Sequence, residues 1–223
     1  MTMRNTSKGN WRASAALCVA SVISGAAHAE DPRWFANLGV AHVMFHESAT
    51  LSAAGTPVPG GNASASDNTT LALELGYKLT PQWSASATIG VPPTSKVAGS
   101  GTASAFGEMG RVKYGPLVLG GQYHFAPTAD IQPYVGAGAV YYRVLSSRDG
   151  AIEQLDVKSG WGSMLQAGVR MPLNERYSLF FDVKKLFLKS SATGLLPAMG
   201  GAPVSAQITL NPVVVHLGLS VNF

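Results

Sequence analysis

Charge is scarce in this chain. Asp, Glu, Lys and Arg make up 13% of its 223 residues, against 46% that are apolar. That is about half the charged share of an ordinary soluble domain. Cysteine is scarcer still: the single Cys18 excludes a disulfide framework. Long apolar runs are missing beyond the N-terminus. None there approaches the roughly 20 residues that a bilayer-spanning helix needs, which excludes a helical membrane protein. Disorder is not expected for the chain as a whole, because disordered chains are rich in charge and poor in apolar residues. What is plentiful is glycine, 25 residues, with 13 prolines and a mean hydropathy of +0.15.

Residues 1–29 read as a secretory signal. Arg4, Lys8 and Arg12 form a positive start, residues 13–26 a short apolar stretch, and Ala27-His28-Ala29 a small-residue cleavage site. Cys18 lies inside the apolar stretch without a lipobox, so lipidation is not expected. Cleavage after Ala29 leaves residues 30–223 as one domain. It also removes three of the 16 basic residues and none of the 12 acidic ones. The mature chain is then almost neutral. With no basic run and no Lys/Arg patch interleaved with aromatics, a nucleic-acid partner is not expected.

The mature chain alternates with a period of two. In residues 68–79, Leu71, Leu73, Leu75, Tyr77 and Leu79 share one parity, while Thr70, Ala72, Glu74, Gly76 and Lys78 share the other. Successive strand side chains point to opposite faces, so this segment has one apolar face and one small or polar face. Trp83, Ala85, Ala87, Ile89 and Val91 repeat the pattern after a turn at Thr80-Pro81-Gln82. The same reading predicts eight strands over 33–46, 68–79, 83–91, 113–125, 132–145, 156–171, 177–188 and 208–223. Most are longer than globular strands and suit a tilted membrane crossing of roughly 9–11 residues. Short connections (80–82, 126–131, 172–176) alternate with long ones (47–67, 92–112, 146–155, 189–207) that read as loops. This layout matches outer-membrane barrels, with tight periplasmic turns and long outer loops. The predicted fold is all-β: an eight-stranded antiparallel transmembrane β-barrel in the outer membrane of a Gram-negative bacterium.

Two features point the apolar parity outward. The opposite parity is rich in glycine and small residues, with Asn37, Glu74, Lys78, Gln122, Arg170, Asp182, Lys184 and His216 scattered through it, as a narrow lumen requires. Aromatics such as Trp34, Tyr77, Trp83, Tyr123, Tyr141, Trp161 and Phe223 sit near strand ends, as in interfacial girdles. The edges must then close on each other, because an open sheet edge in hydrocarbon leaves N–H and C=O groups unpaired at several kcal/mol each. Lumen parity also carries Val43, Phe45, Val140, Met164, Phe180 and Val214, which are expected to line an apolar ligand pocket at the outer end; the alternative is that they plug the barrel as packing. Glu74, Lys78, Arg170, Asp182 and Lys184 are expected to form a polar plug lower down, since buried charges need partners. Pro92, Pro93 and Pro212 supply no N–H donor and mark places where the wall could open sideways. His216, Gly218, Val221 and the terminal Phe223 resemble the signal that the barrel assembly machinery reads.

Other chemistry finds little support. His46-Glu47-Ser48 looks superficially like the H-x-S of a lipid A deacylase, but no second motif accompanies it, and no enzyme activity is expected. His42 and His46 are about 13 Å apart along a strand, too far to share a metal ion. His124 and His216 are single lumen-parity residues. The Gly-Gly pairs at 60–61, 120–121 and 200–201 lack the helix that a phosphate loop needs. No metal and no cofactor are expected.

Six blocks, in this order and spacing, carry a family resemblance: Asn68-Thr69-Thr70-Leu71 through Tyr77; Gln132-Pro133-Tyr134-Val135-Gly136-Ala137-Gly138; Ser159-Gly160-Trp161-Gly162; Gln166-Ala167-Gly168-Val169; Asp182-Val183-Lys184-Lys185; and Leu210-Asn211-Pro212-Val213-Val214 into Phe223. The chain resembles the OmpW/AlkL family of small outer-membrane barrels over nearly all of its mature length. The resemblance implies passive uptake of small hydrophobic molecules, which enter an apolar outer pocket and leave sideways through the wall. The implied partners are outer-membrane lipid, the assembly machinery and a small hydrophobic solute, with the protein as a monomer. The alternative is a structural or adhesive barrel whose outer loops bind a ligand, phage or colicin without transport.

Overall fold

The structure, a computed structural model, describes residues 33–223; the expected signal at 1–29 and its cleavage site lie outside them. Eight strands form the barrel: β1 (Trp34–Met44), β5 (Asn68–Lys78), β6 (Trp83–Gly90), β8 (Glu108–His124), β9 (Gln132–Asp149), β11 (Gly160–Pro172), β12 (Tyr177–Leu196) and β14 (Val213–Asn222). All pairings between neighbours are antiparallel. The ring closes where β1 meets β14, from Phe35↔Asn222 to Met44↔Val213, and where β11 meets β12. Backbone bonds between Trp34 and Phe223, at 3.0 and 2.9 Å, seal the end of that joint.

Side-chain parity sorts as the alternation predicts. Leu38, Leu71 and Trp161 are 53%, 56% and 67% exposed, whereas Phe35, Glu74 and Asp182 are at 0%. A soluble protein does not display so continuous an apolar surface; here it is the lipid face. Edge-to-face pairs Trp34–Tyr77 and Trp83–Tyr123 mark the end with the tight turns, and Tyr141–Trp161 marks the other. Along β12, Tyr177 to Phe187 covers about 33 Å at 3.3 Å per residue. At the usual tilt that spans the roughly 25 Å apolar band of an outer-membrane barrel.

Above the band the expected loops are sheet. Residues 47–67 hold β2 (Glu47–Ala53), β3 (Thr56–Pro57) and β4 (Gly61–Ala65). Residues 92–112 hold β7 (Thr94–Gly101), a 3₁₀ turn at Ser104–Phe106 and the start of β8. Strand β9 runs on to Asp149, followed by β10 (Glu153–Val157); β12 runs on to Leu196 and pairs with β13 (Ala202–Leu210). The ladders simply continue past the membrane. Their Ala, Ser and Gly content hides the two-residue period, because no bulky outward residues are needed outside lipid. The expected eighth strand at 208–223 is broken at Asn211-Pro212, where proline has no N–H to donate. Strand β12 stays continuous beside the break and pairs with β14 below it and β13 above.

Candidate functional site: an apolar funnel over a polar plug

Mid-barrel, two strands aim charged side chains at one another, Glu74 from β5 and Asp182 and Lys184 from β12. Lys184 Nζ lies 3.2 Å from Glu74 Oε2 and 2.8 Å from Asp182 Oδ1. Amides fill the remaining lone pairs. Asn37 and Gln122 each donate to Glu74 at 3.0 Å, Thr88 Oγ1 donates to it at 3.0 Å, and Gln166 Nε2 donates to Asp182 at 3.1 Å. Gln122 also donates to Gln166 Oε1 at 3.2 Å, and Tyr134 OH to Asp182 at 3.2 Å, which ties both halves into one network. Two glycines make room for this. A Cβ on Gly76 would lie 2.0 Å from the Phe35 ring, and one on Gly168 would collide with both Tyr134 and Asp182. The carboxylates survive burial because each has an ion partner and further donors. The network crosses the lumen and leaves no apolar path through it.

Above the plug lies an apolar floor of Val118, Val140, Met164, Leu186, Leu188 and Leu210, packed as one cluster with Tyr114 and Tyr142. Over this floor opens a cavity of about 90 Å³ bordered by Phe45, Tyr114, Tyr142, Leu155, Ala192 and Ile208. A second chamber of about 270 Å³ sits further out, and Leu51, Met109, Ile152, Leu155, Ala192 and Ala206 line both. The two chambers form an apolar funnel whose outer half is built by the extended ladders.

The funnel wall has two weak places. Strand β6 pairs with β8 up to Ile89↔Leu117, and β7 resumes at Thr94↔Lys113. Between them Pro92 packs against Gly115, and a single bond from Tyr114 N to Pro93 O, at 3.2 Å, spans the gap. The second place is a seam. The β1–β5 ladder ends at Val43↔Asn68; above it β2 pairs with β13 and β4 with β7. The two sides are latched by side chains: Phe45 N donates to Asp67 at 2.9 Å, Ala49 N to Asn62 at 2.7 Å, and Ala65 N to Glu47 at 2.5 Å. Glu47 of the H-x-S-like triplet is thus engaged in holding the wall.

Of the residues expected at the pocket, Phe45 lines the funnel. Val140 and Met164 belong to its floor, and Val214 packs against that floor. Val43 sits at the top of the β1–β5 ladder, opposite Asn68 and Val214. Phe180 is a correction. Its register with Arg170 and Gly218 puts it below the plug, against His216, with ring centroids 4.7 Å apart. Parity assigns a face and carries no information on depth. The plug needs two corrections as well. Arg170 stacks on the Phe35 ring at 4.4 Å and makes no ion pair with Glu74 or Asp182, and Lys78 lies on the wall of a lower cavity. Arg170 lies two residues beyond Gly168, the partner of Asp182, and Lys78 lies four beyond Glu74, both toward the periplasmic end. Sequence reasoning missed Tyr114, Tyr142, Ala192 and Ala206 in the funnel, since three of them sit at or beyond predicted strand ends. It also missed the amides of Gln122 and Gln166, whose inward parity facing two buried carboxylates was the available signal. Of the assembly-signal residues, His216 is buried and Gly218 faces inward, while Phe223 faces lipid. Among the described residues no three His, Cys, Asp or Glu side chains gather as a metal site.

Comparison with known proteins agrees with this architecture. Residues 34–223 match the OmpW family profile. The dibenzothiophene metabolism operon protein PahQ of Pseudomonas aeruginosa is 34% identical over 87% of this chain and 90% of its own length. The outer membrane protein AlkL of Ectopseudomonas oleovorans is 31% identical over 85% of this chain and 82% of its own. The solid-state NMR structure of AlkL in lipid bilayers superposes with a TM-score of 0.70 at 30% identity, covering 90% of this chain and 94% of AlkL. The crystal structure of OprG from Pseudomonas aeruginosa, at 20% identity, shares the fold with a TM-score of 0.81 over 87% of this chain and 97% of OprG. With its closed eight-stranded barrel and outward apolar belt, this chain belongs to the OmpW family and is an outer-membrane β-barrel of Gram-negative type.

Proposed function

We propose that the barrel takes up small hydrophobic molecules passively, through the outer funnel, and releases them sideways into the membrane. One observation carries the reading: an apolar, two-chambered funnel ends on a plug whose buried carboxylates are ion-paired and hydrogen-bonded. Apolar solutes partition into such a funnel, since transfer from water gains roughly 25 cal/mol per Å² of apolar surface. They cannot cross the plug, because stripping its ions of partners costs several kcal/mol. The wall is the remaining way out, and the proline gap and the β2–β4 seam are its weakest places. The name of PahQ, a dibenzothiophene metabolism operon protein, supports the same reading. A channel for ions would line its lumen with charge and water throughout.

The test uses liposomes carrying purified protein and a hydrophobic fluorescent dye outside. Dye should reach the lumen faster than in protein-free vesicles, while planar bilayers show no ion conductance. Ala206→Trp fills the shared wall of both chambers and should return uptake to background with the barrel still folded. Uptake equal to protein-free vesicles would favour the adhesive or receptor barrel. Replacing Pro92 and Pro93 by alanine restores two backbone donors. Slower release would assign the exit to that gap; unchanged release assigns it to the seam. On the same footing, cleavage after Ala29 is proposed, with the intact mass of the membrane-extracted protein as its check. Truncating Phe223 should impair insertion by the barrel assembly machinery, and the detergent-solubilised protein should sediment as a monomer.

A further inference from the structure

Below the plug the barrel opens into a second, chemically opposite space. A cavity of about 650 Å³ faces the periplasmic end, bordered by Arg33, Lys78, His124, Arg170, Asn174 and Glu175. Three of these are basic side chains and one is a carboxylate. Arg170 is the unusual member. It is 4% exposed, and its Nε and Nη2 are buried without a hydrogen-bond partner. One face of its guanidinium is covered by the Phe35 ring at 4.4 Å, held in the space that Gly76 leaves. Lys184 is already committed to Glu74 and Asp182, so the plug offers Arg170 no carboxylate in contact.

A buried donor without a partner costs about 1–3 kcal/mol, and more when charged. Such a group next to open space needs something there to accept its hydrogens. A guanidinium presents its N–H groups as a planar fork that matches carboxylate and phosphate oxygens. Stacking on an aromatic ring fixes the plane of the fork and leaves its edge for a ligand. Arg33 and Lys78 have contacts of their own.

From this geometry we infer that the periplasmic vestibule is a binding site for a small oxyanion, a carboxylate or phosphate, held by the Arg170 fork. This site is separate from the funnel, so it stands whether or not the barrel carries hydrophobic solutes. Its ligand comes from the periplasm and never meets the apolar chambers.

The experiment is an NMR titration of arginine-labelled protein in a phosphate-free maltoside detergent. Inorganic phosphate replaces chloride at constant ionic strength, and the Nε–H resonances are followed. The Arg170 signal should shift and saturate, while that of Arg143, exposed on the outer part of β9, should not. A parallel titration with acetate reads whether one carboxylate suffices; saturation with either anion supports the site. Arg170→Lys keeps the charge and loses the fork, and should weaken binding by about tenfold. Arg170→Met should abolish it, and Glu175→Gln should tighten it. Drift without saturation, alike at Arg143 and Arg170, would mean that the cavity holds water alone and would overturn the proposal. Saturable binding that survives in Arg170→Met would overturn it equally. If Arg170→Met does not fold, the unmodified protein and Arg170→Lys still decide the question.

Discussion

The lumen above Gln166 and the lumen below it are built on opposite principles, although the same strands supply both. Above, β12 contributes Leu186, Leu188, Ala192 and Leu196, and strands β8, β9 and β13 add Val118, Val140, Tyr142 and Leu210. Below, the same strand contributes Asp182 and Lys184, met by Glu74, Asn37, Gln122 and Gln166. Packing in the upper half is non-directional and tolerates vacant volume, which is why two chambers can persist there. The lower half is directional: each carboxylate oxygen has a named donor, and the cost of losing one is high. Under the proposed function the upper interior would receive apolar molecules and the lower would exclude ions and water, and the two are stacked in that order.

The sharpest way to break this contrast is Lys184→Met. It leaves Glu74 and Asp182 buried without a cation, at a cost of about 3–5 kcal/mol. Urea unfolding in vesicles should register that loss, and any folded fraction should conduct ions that the unmodified protein blocks. An intact barrel with unchanged unfolding and no conductance would remove the plug from the account. Met164→Ala, two residues along β11 from Gln166, should cost about 2–5 kcal/mol as a core truncation. Because the plug survives, conductance should stay at zero while the funnel deepens. Asn62→Ala removes one latch of the β2–β4 seam. The hydrogen bond it loses is worth about 1 kcal/mol, so amide exchange at Ala49 should speed up about fivefold, with the transmembrane amides unaffected. If the Ala49 amide stays as protected as before, the seam is held by something other than side-chain latches.

The smallest expected effect concerns acid. Asp149, at the outer end of β9, accepts backbone bonds from Leu155 at 3.0 Å and Gln154 at 2.9 Å. These two bonds, that to Leu155 first, hold its carboxyl below the usual aspartate range. A depressed folded-state value means that the carboxylate stabilises the turn above the ordinary aspartate pKa and ceases to as pH falls through the lowered one. Leu155 lines both chambers, so acidification through that window should loosen the funnel wall while the plug stays intact. Amide exchange at Gln154 and Leu155 should rise on acidification beyond the trend of other amides, and Asp149→Asn should remove that excess.

Much of this was legible from the chain. The alternation in 68–79 identified the lipid face, because a two-residue period maps directly onto the two sides of a strand. Glu74, Asp182 and Lys184 were readable as a cluster, since charges of opposite sign on a narrow inward face must meet. Phe180 shows where that reasoning stops. It has the same parity as Asp182 and Leu186 yet lies on the far side of the plug from the funnel, because height in the barrel depends on register. Arg170 and Lys78 were misplaced for the same reason. The outer ladders were unreadable for a different one: Ala49, Ala63, Ala192 and Ala206 carry too little hydrophobic contrast to reveal a strand.

By itself, the order of residues determined which side of each strand meets lipid, how many strands cross, and that the inward face holds both ions and apolar bulk. These are local properties, encoded in neighbours one and two positions apart. Only the tertiary structure decided depth: which inward residues share a level, where the funnel ends on the plug, and which guanidinium is left facing the periplasm. Depth is set by the register of hydrogen bonds between strands far apart in the chain, above all by closure of β1 on β14, and no local pattern records that offset.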